Sequence, residues 1–292
     1  MDPTAPAQTV KAQTEPAEPD AAQAVPSQAG PAEAGPAEAE PARPARRGRS
    51  RNPLARVLRR AEVTAVERLA ARTRRITLAG EALVGLEWTP GHHVSVVLAD
   101  PAAPSSFLRS PRDLKRTYSV WDYTPDGRLQ LAVYDHGGDA PGARWAREAA
   151  PGRGVLVKGP EGHLVAQPDA PYHVFAGDDT AAVAFGAILR GLPAGVPVFG
   201  AVEHDSPDDA LPLARRDELT FVYRAGEPAA DSPRLPAAVA ELPLPAEPGV
   251  AYLAGEARVI QAVRRHLVED RGWPRRNVVT HPFWTPGRRG MD

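Results

Sequence analysis

Between residues 52 and 166, short apolar runs alternate with Gly, Pro and Asp. Six runs have the character of strands: AEVTAVERLA, TRRITLAG, HHVSVVLAD, RTYSVWDY, RLQLAVYD and GVLVKGP. In RLQLAV, apolar and polar positions alternate, which is typical of a strand with one buried face. The stretch APGARWAREA favours a helix, because Pro141 suits an early helical position. Six strands and one helix predict a small antiparallel β-barrel over residues 52–166.

The pattern changes in residues 167–292, where continuous apolar runs alternate with helical stretches. The runs YHVFAG, VPVFGAVEH, LTFVYRAG, VAYLAGE and NVVTHPFW indicate strands, and DDTAAVAFGAILRGL and ARVIQAVRRHLVEDRGW indicate helices. The proline-rich stretch PAADSPRLPAAVAELPLPAEPG predicts a loop with one short helix. Strands that alternate with helices in this way predict an open, mostly parallel α/β sheet.

Residues 1–51 are rich in Ala, Pro and Glu and contain few larger apolar residues. Such a segment cannot bury enough surface to offset its ordering entropy, so we predict a disordered tail. Its basic end, Arg43 to Arg49, is interpreted as solvated, with a docking arm as the alternative.

Composition narrows the functional class of the 292-residue chain, which has no cysteine and a formal net charge of −1. The absence of cysteine excludes disulfides, thiolate-bound zinc, a [2Fe–2S] cluster held by cysteines and a cysteine nucleophile. The near-neutral charge argues against nucleic-acid binding. No apolar run reaches the ~18 residues of a membrane span, and the first residues lack a secretory pattern, so we expect a cytoplasmic protein.

The sharpest local motif is Arg116-Thr117-Tyr118-Ser119 on a predicted strand. Because strand side chains alternate, Arg116 and Tyr118 share one face and Ser119 points to the other. Downstream, Tyr134-Asp135-His136-Gly137-Gly138 leads into the helix start at Pro141. A glycine-rich turn before a helix start presents backbone N–H groups to an anion, as a flavin dinucleotide requires.

A second motif, Gly177-Asp178-Asp179-Thr180, follows a predicted strand and opens a helix. Ligands of open α/β sheets bind outside the carboxyl ends of the strands. Thr180 therefore either contacts a nucleotide or caps the helix, and Asp178 and Asp179 are equally good caps. No G-x-G-x-x-G fingerprint is present. The pair His92-His93 lacks companions at metal-ligand spacing, so we interpret it as strand surface with no metal site.

These motifs, with Gly255-Glu256 and the closing Phe283-Trp284, occur in an order that resembles the siderophore-interacting protein family. The resemblance covers residues 52 to 292 and implies a ferredoxin-NADP reductase-like, two-domain flavoprotein. The chain departs from the family pattern at Trp121, where an arginine is common, and at Ala143, where a serine is common.

The resemblance implies FAD as cofactor and NAD(P)H as electron donor. It implies catalytic roles for Tyr118, Ser119 and Trp284. It implies that the cofactor-binding residues are Arg116, Tyr118, Ser119, Val120, Asp135, His136, Gly142, Ala143, Arg144, Asp178, Thr180 and Glu256. Lys115, Arg288 and Arg289 are the residues we expect to contact an anionic ferric siderophore.

The resulting hypothesis is an FAD-dependent ferric-siderophore reductase that is a monomer or a weak dimer. One alternative is a general NAD(P)H:flavin or ferredoxin-type reductase with another acceptor. The other is a flavin- or siderophore-binding protein without turnover, which the missing phosphate fingerprint leaves open.

Overall fold

The computed structural model describes residues 58–98 and 115–288 of the chain. The strands of its first half are β1 (Arg59–Ala70), β2 (Thr73–Ala79), β3 (His93–Val97), β4 (Lys115–Thr124), β5 (Arg128–Tyr134) and β6 (Gly154–Glu161). They form a closed antiparallel barrel in the order β1-β2-β5-β4-β3-β6. The helix α1 (Pro141–Glu148) lies between β5 and β6. The predicted barrel of six strands and one helix is confirmed.

Strand β5 shows why the alternating pattern produces this barrel. Leu129, Leu131 and Val133 are buried in the barrel core, while Arg128 on the same strand is exposed. Ala132 points out of the barrel, yet it too is buried, because it packs against the second half of the molecule. Part of the outward face of the barrel is therefore buried against the second half of the molecule.

The second half is a five-stranded sheet with helices on both faces. Its strands are β7 (His173–Asp178), β8 (Val198–His204), β9 (Thr220–Tyr223), β10 (Val250–Glu256) and β11 (Val278–Trp284). The order is β11-β10-β7-β8-β9, and every neighbouring pair is parallel, which confirms the predicted open α/β sheet. Its helices are α2 (Ala182–Gly191), α3 (Arg234–Ala240) and α4 (Ala257–Arg265). Helix α4 ends earlier than the pattern predicted and passes into a π-helical turn, His266–Asp270.

The central strand β7 is buried on both faces, which explains its continuous apolar run. Phe175 belongs to the core beneath α2, whereas Val174 and Ala176 belong to the core beneath α3 and α4. Trp121 of the barrel strand β4 also packs into the α2 core. The guanidinium of Arg190, on α2, lies 4.3 Å from the centre of the Trp121 indole. Trp121, which stands where the family commonly has an arginine, thus packs the barrel against helix α2 of the second half.

Three further sequence-based statements concern the tail, the domain boundaries and membrane spans. The predicted tail, residues 1–51, lies outside the described residues. The domain boundaries at 52–166 and 167–292 stay predictions. None of the helices in the described part of the chain is long and apolar enough to cross a membrane.

His173, at the start of β7, is expected to make the stability of this sheet dependent on pH. Its side chain is 1% exposed, and burial lowers the pKa of the imidazole, with a further contribution from Arg215. The unfolded chain therefore binds a proton near pH 6.5 that the folded chain resists. We expect the free energy of unfolding to fall as pH decreases below about 6.5, and to fall less steeply in His173→Phe. Urea denaturation at several pH values between neutral and mildly acidic measures both slopes, and equal slopes would contradict the assignment.

Candidate functional site

The N-terminus of helix α1 lies against Arg116 and Tyr118 of β4, which share one face as predicted. A Cβ added to Gly142 would stand 2.9 Å from the Tyr118 hydroxyl and 3.2 Å from Cγ of Arg116. The Tyr118 hydroxyl donates a hydrogen bond to the Gly142 carbonyl at 3.3 Å, and its ring stacks on Trp145 at 5.3 Å. Burial raises the pKa of Tyr118. We call this group, with Ala143, the α1 cradle.

Gly142, Ala143 and Arg144 were predicted to offer backbone N–H groups to a ligand. Only the first two N–H groups make no hydrogen bond within helix α1. Ala140 is the N-cap, its side chain caps nothing, and Pro141 has no N–H of its own. The N–H groups of Gly142 and Ala143 precede the first intrahelical hydrogen bond. The N–H of Arg144 makes that bond, to the Ala140 carbonyl at 3.0 Å. Arg144 was therefore wrongly predicted as a backbone donor to a ligand.

The turn before α1 is held by Asp135. Its carboxylate accepts hydrogen bonds from the Gly137 N–H and from Arg147, both at 2.9 Å. Burial raises the pKa of Asp135, but these two partners outweigh burial and hold the pKa below its usual value. Gly137 and Gly138 both have positive φ, at 76° and 69°, which glycine adopts without strain. Asp135 thus shapes the turn, and its carboxylate is already engaged.

Two other predicted residues on β4 occupy different environments. Val120 is fully buried in the barrel core, and its N–H donates to the His92 carbonyl at 3.0 Å. The side chain and the N–H of Val120 are therefore both engaged within the barrel, and a contact of Val120 with a cofactor stays a prediction. Ser119 is half-buried and lies opposite His93 in the β3–β4 ladder.

A cleft of about 220 Å³ opens at the carboxyl edge of the parallel sheet, where it meets the barrel. The sheet contributes residues at or just after the carboxyl ends of β7, β8, β9 and β11. Barrel residues close the other side. The polar and aromatic side chains that line it are Arg72, Tyr134, His136, Asp178, Asp179, Thr180, Asp205, Arg224, Glu227 and Trp284.

His136 and Trp284 approach one another at this cleft, with ring centres 6.3 Å apart. His136 also lies edge-on to Tyr134, at 4.8 Å. Because His136 directly precedes the glycine turn that leads to α1, the cleft and the α1 cradle are neighbours along the chain. The structure therefore brings predicted residues from both halves of the sequence to one region.

Asp178 organises the sheet side of the cleft by accepting hydrogen bonds from three segments. One carboxylate oxygen accepts from the Thr180 N–H at 2.9 Å and from the Thr180 hydroxyl at 2.6 Å. The other accepts from the Glu256 N–H at 2.9 Å and from the Trp284 indole N–H at 2.8 Å. A Cβ at Gly255 would stand 2.7 Å from this carboxylate, and its φ of 119° also favours glycine. Asp178 is thus a positioning residue for Trp284.

Among the neighbouring polar residues, the structure corrects the expectation for Glu256 and excludes one of the two alternatives for Thr180. The buried Glu256 carboxylate caps α4, accepting from the N–H groups of Arg258 and Val259 at 2.8 and 2.9 Å, and it is absent from the cleft lining. Thr180 lines the cleft, but it is not a helix cap, because its hydroxyl donates to Asp178. The N-cap of α2 is Ala181.

A buried ion cluster supports the floor of the cleft. Arg224 donates to Asp179 at 2.7 Å and to Glu203 at 3.3 Å, and all three side chains are at most 5% exposed. His204 lies 2.6 Å from the other oxygen of Asp179. Burial opposes the charge of Arg224, yet the bond to Asp179 and the two carboxylate charges raise its pKa. This cluster ties the ends of β7, β8 and β9 together.

Sequence reasoning did not select Arg72, Asp205 or Arg224 for the site. Asp205 and Arg224 directly follow β8 and β9, so the rule that ligands bind at carboxyl ends of parallel strands could have found them. Arg72 lies between β1 and β2 in the barrel and reaches Asp209 and Asp205, at 3.0 and 2.8 Å. No local signal marks that position.

The grouping of the three basic residues assigned to the siderophore stays a prediction. Lys115 and Arg288 are absent from the cleft lining, and Arg289 lies outside the described residues. His92 and His93 are half-buried, not simple strand surface, and the His93 ring lies 6.2 Å from His281 on β11. No cluster of three or more potential metal ligands occurs within residues 58–98 and 115–288.

An antiparallel barrel followed by a parallel sheet, with a cleft at their junction, is a ferredoxin reductase-like fold. Residues 62–164 match the siderophore-interacting FAD-binding domain, and residues 170–287 match the siderophore-interacting protein family. The chain belongs to the siderophore-interacting protein family.

Several known proteins are similar to this chain over most of their length. Ferric vibriobactin reductase ViuB of Vibrio cholerae is 28% identical over 230 residues, which are 73% of this chain and 84% of ViuB. The NADPH-dependent ferric-chelate reductase of Escherichia coli is 29% identical over 256 residues, 81% of this chain and 95% of that protein. The crystal structure of a siderophore utilization protein from T. fusca has a TM-score of 0.69 and 26% identity, covering 80% of this chain and 95% of that one.

Proposed function

We propose that the chain is an FAD-dependent reductase that oxidises NAD(P)H and reduces Fe(III) held in a siderophore. The observation that carries the proposal is the approach of His136, which precedes the α1 cradle along the chain, to Trp284 at the sheet cleft. The family match and the two ferric reductases that resemble the chain support the same activity.

The residues of the α1 cradle fit the chemistry of FAD. A pyrophosphate needs a cation and backbone donors, and Arg116 lies beside the uncapped N-terminus of α1. An isoalloxazine ring needs an aromatic or apolar surface, which Tyr118 and Trp145 provide. Ala143 offers no side-chain donor, so the backbone must supply those bonds. When bound, FAD accepts a hydride and delivers its electrons singly.

The cleft residues bind and orient the electron donor in this proposal. Trp284 is held by Asp178 at the side of the cleft that adjoins His136. A bulky indole at that point excludes water from the region where a hydride passes. Ser119 and Tyr118 remain the predicted contacts to the flavin on the barrel side. One NAD(P)H oxidised reduces two ferric ions and releases one proton, so electrons and charge balance.

The acceptor is proposed to dock through basic side chains. Lys115 begins β4 next to Arg116, and Arg288 is exposed beyond Trp284. With Arg289, they are proposed to attract an anionic ferric siderophore, an effect that salt weakens. A cytoplasmic protein, either a monomer or a weak dimer, accords with this role.

The purified full-length protein tests the function directly. We expect it to show the absorption spectrum of an oxidised flavin and to be bleached anaerobically by NADH or NADPH. Adding a ferric catecholate siderophore should then restore the colour, and an Fe(II)-specific chelator should trap the iron.

The outcomes separate the proposal from its alternatives. A protein that binds no FAD contradicts the flavin assignment. A flavin that no dinucleotide bleaches indicates a binding protein without turnover. A bleached flavin that ferric siderophores leave unchanged, but another acceptor oxidises, indicates a general reductase.

A further inference from the structure

The end of the cleft beside β8 and β9 is where the adenosine ribose of a dinucleotide is expected. Strand β7 is central, with β8 on one side and β10 on the other, so the chain changes direction at β7. In such sheets, the turn after the first strand faces the pyrophosphate. The residue after the second strand faces the adenosine ribose, where a carboxylate suits a free 2′-hydroxyl and an arginine suits a 2′-phosphate. Here that residue is Asp205.

Two carboxylates dominate this end of the cleft. Asp205 and Glu227 both line it. The Asp205 carboxylate accepts a hydrogen bond from the Gly226 N–H at 2.9 Å, and its side chain is 26% exposed. It is therefore held in place while still reaching solvent. Glu227 is more exposed, at 69%, and lies 3.7 Å from the guanidinium of Arg234.

The two cations among the described lining residues are already neutralised. Arg72 donates to Asp209 through two nitrogens at 3.0 Å and to Asp205 at 2.8 Å. The hydrogen bond to Asp209 is the main reason that the pKa of Arg72 is raised. Arg224 is buried between Asp179 and Glu203. A 2′-phosphate at this end of the cleft would thus lie next to carboxylates. The guanidinium groups of Arg72 and Arg224 are already paired with other carboxylates.

We propose that the cleft selects a dinucleotide with a free 2′-hydroxyl, NADH, over its 2′-phosphorylated form, NADPH. A ribose hydroxyl can donate to Asp205, whereas a 2′-phosphate would be repelled by Asp205 and Glu227. This inference rests on the proposed function, because it assumes that a nicotinamide dinucleotide occupies the cleft. The proposed preference for NADH would distinguish this chain from the E. coli relative, whose name specifies NADPH.

The test uses ligands that carry no nicotinamide, so that binding is measured without reduction. Titration calorimetry of the FAD-loaded full chain compares ADP-ribose with 2′-phospho-ADP-ribose. We expect ADP-ribose to bind at least about tenfold more tightly, which corresponds to about 1.4 kcal/mol. The ratio should decrease in Asp205→Asn, which removes a carboxylate and leaves Arg72 paired with Asp209 alone.

A second variant and a control make the result independent of folding defects. Glu227→Lys changes an exposed residue and should lower the ratio by about threefold or more, the scale of one surface charge interaction. Glu241→Lys makes the same charge change at an exposed position outside the cleft lining and should leave the ratio unchanged. Equal effects of the two lysine variants would overturn the local mechanism.

Failure of the inference differs from failure of the proposed function. Equal or tighter binding of 2′-phospho-ADP-ribose overturns the inference, even where NADPH bleaches the flavin and the reductase activity stands. Binding of neither ligand also overturns it, because the cleft would then not be the nucleotide site. A protein that binds ADP-ribose selectively but holds no reducible flavin would contradict the proposed function instead.

Discussion

Replacing Arg224 with methionine is expected to destabilise the protein by about 3–5 kcal/mol, the usual cost of removing one partner from a buried ion pair. Methionine fills much of the space of the arginine stem but supplies no charge. Asp179 and Glu203, which are 4% and 1% exposed, would each lose the guanidinium that offsets their desolvation. Because a domain of ordinary stability has only about 5–15 kcal/mol, the variant should unfold at much lower denaturant concentration.

Urea denaturation of the FAD-loaded proteins measures this difference. Arg75→Met is the matched control, because Arg75 pairs with Glu67 at 2.9 Å on the barrel surface. Exposed pairs contribute about 0–1 kcal/mol, so the control should change little. Similar small losses in both variants would show that the buried cluster does not support the sheet edge.

Arg116→Ala is expected to weaken FAD binding by about one to two orders of magnitude. A hydrogen bond to a charged group contributes about 1.5–3 kcal/mol, and about 1.4 kcal/mol corresponds to a factor of ten. The stem of Arg116 lies beside Gly142 at the start of α1, so alanine would leave a pyrophosphate there with backbone donors only. Arg116→Lys should recover part of the loss, because it restores charge without the guanidinium fork.

The dissociation constant is measured by titrating FAD into apoprotein while following flavin fluorescence. Arg128→Ala removes an exposed arginine from the neighbouring strand β5 and should leave the affinity unchanged. Arg116 would be only a surface charge if the alanine variant retained stoichiometric FAD through dilution and gel filtration.

The fold could be predicted because its signals are local. Alternation in β5 and the continuous apolar run of β7 report which faces are buried, and each pattern spans only a few residues. Helix α4 shows the limit of such signals: the apolar period continues to residue 273, but the α-helix ends at Arg265 and becomes a π-helical turn. The buried Ala132 likewise depends on the packing of the barrel against α2, which no strand pattern contains.

The candidate site was only partly accessible to the same reasoning. The sequence alone determined that Arg116 and Tyr118 share a face, and that a glycine turn precedes a helix start. Whether a predicted residue is available to a ligand depended on its partners. The Arg144 N–H is used within α1, Val120 is core, and the Glu256 carboxylate caps α4.

Tertiary structure decided the contents of the cleft, because its side chains come from segments that are distant in sequence. Asp178 and Trp284 are 106 positions apart and Arg72 and Asp209 are 137 apart, yet each pair is hydrogen-bonded. Charges at carboxyl ends of neighbouring parallel strands converge only when the strand order brings those ends together. The sequence therefore determined where the strands and helices occur, apart from the end of α4, and the glycine turn before the start of α1. Only the packing of the sheet against the barrel decided which carboxylates and arginines line the cleft and which of them form ion pairs with one another.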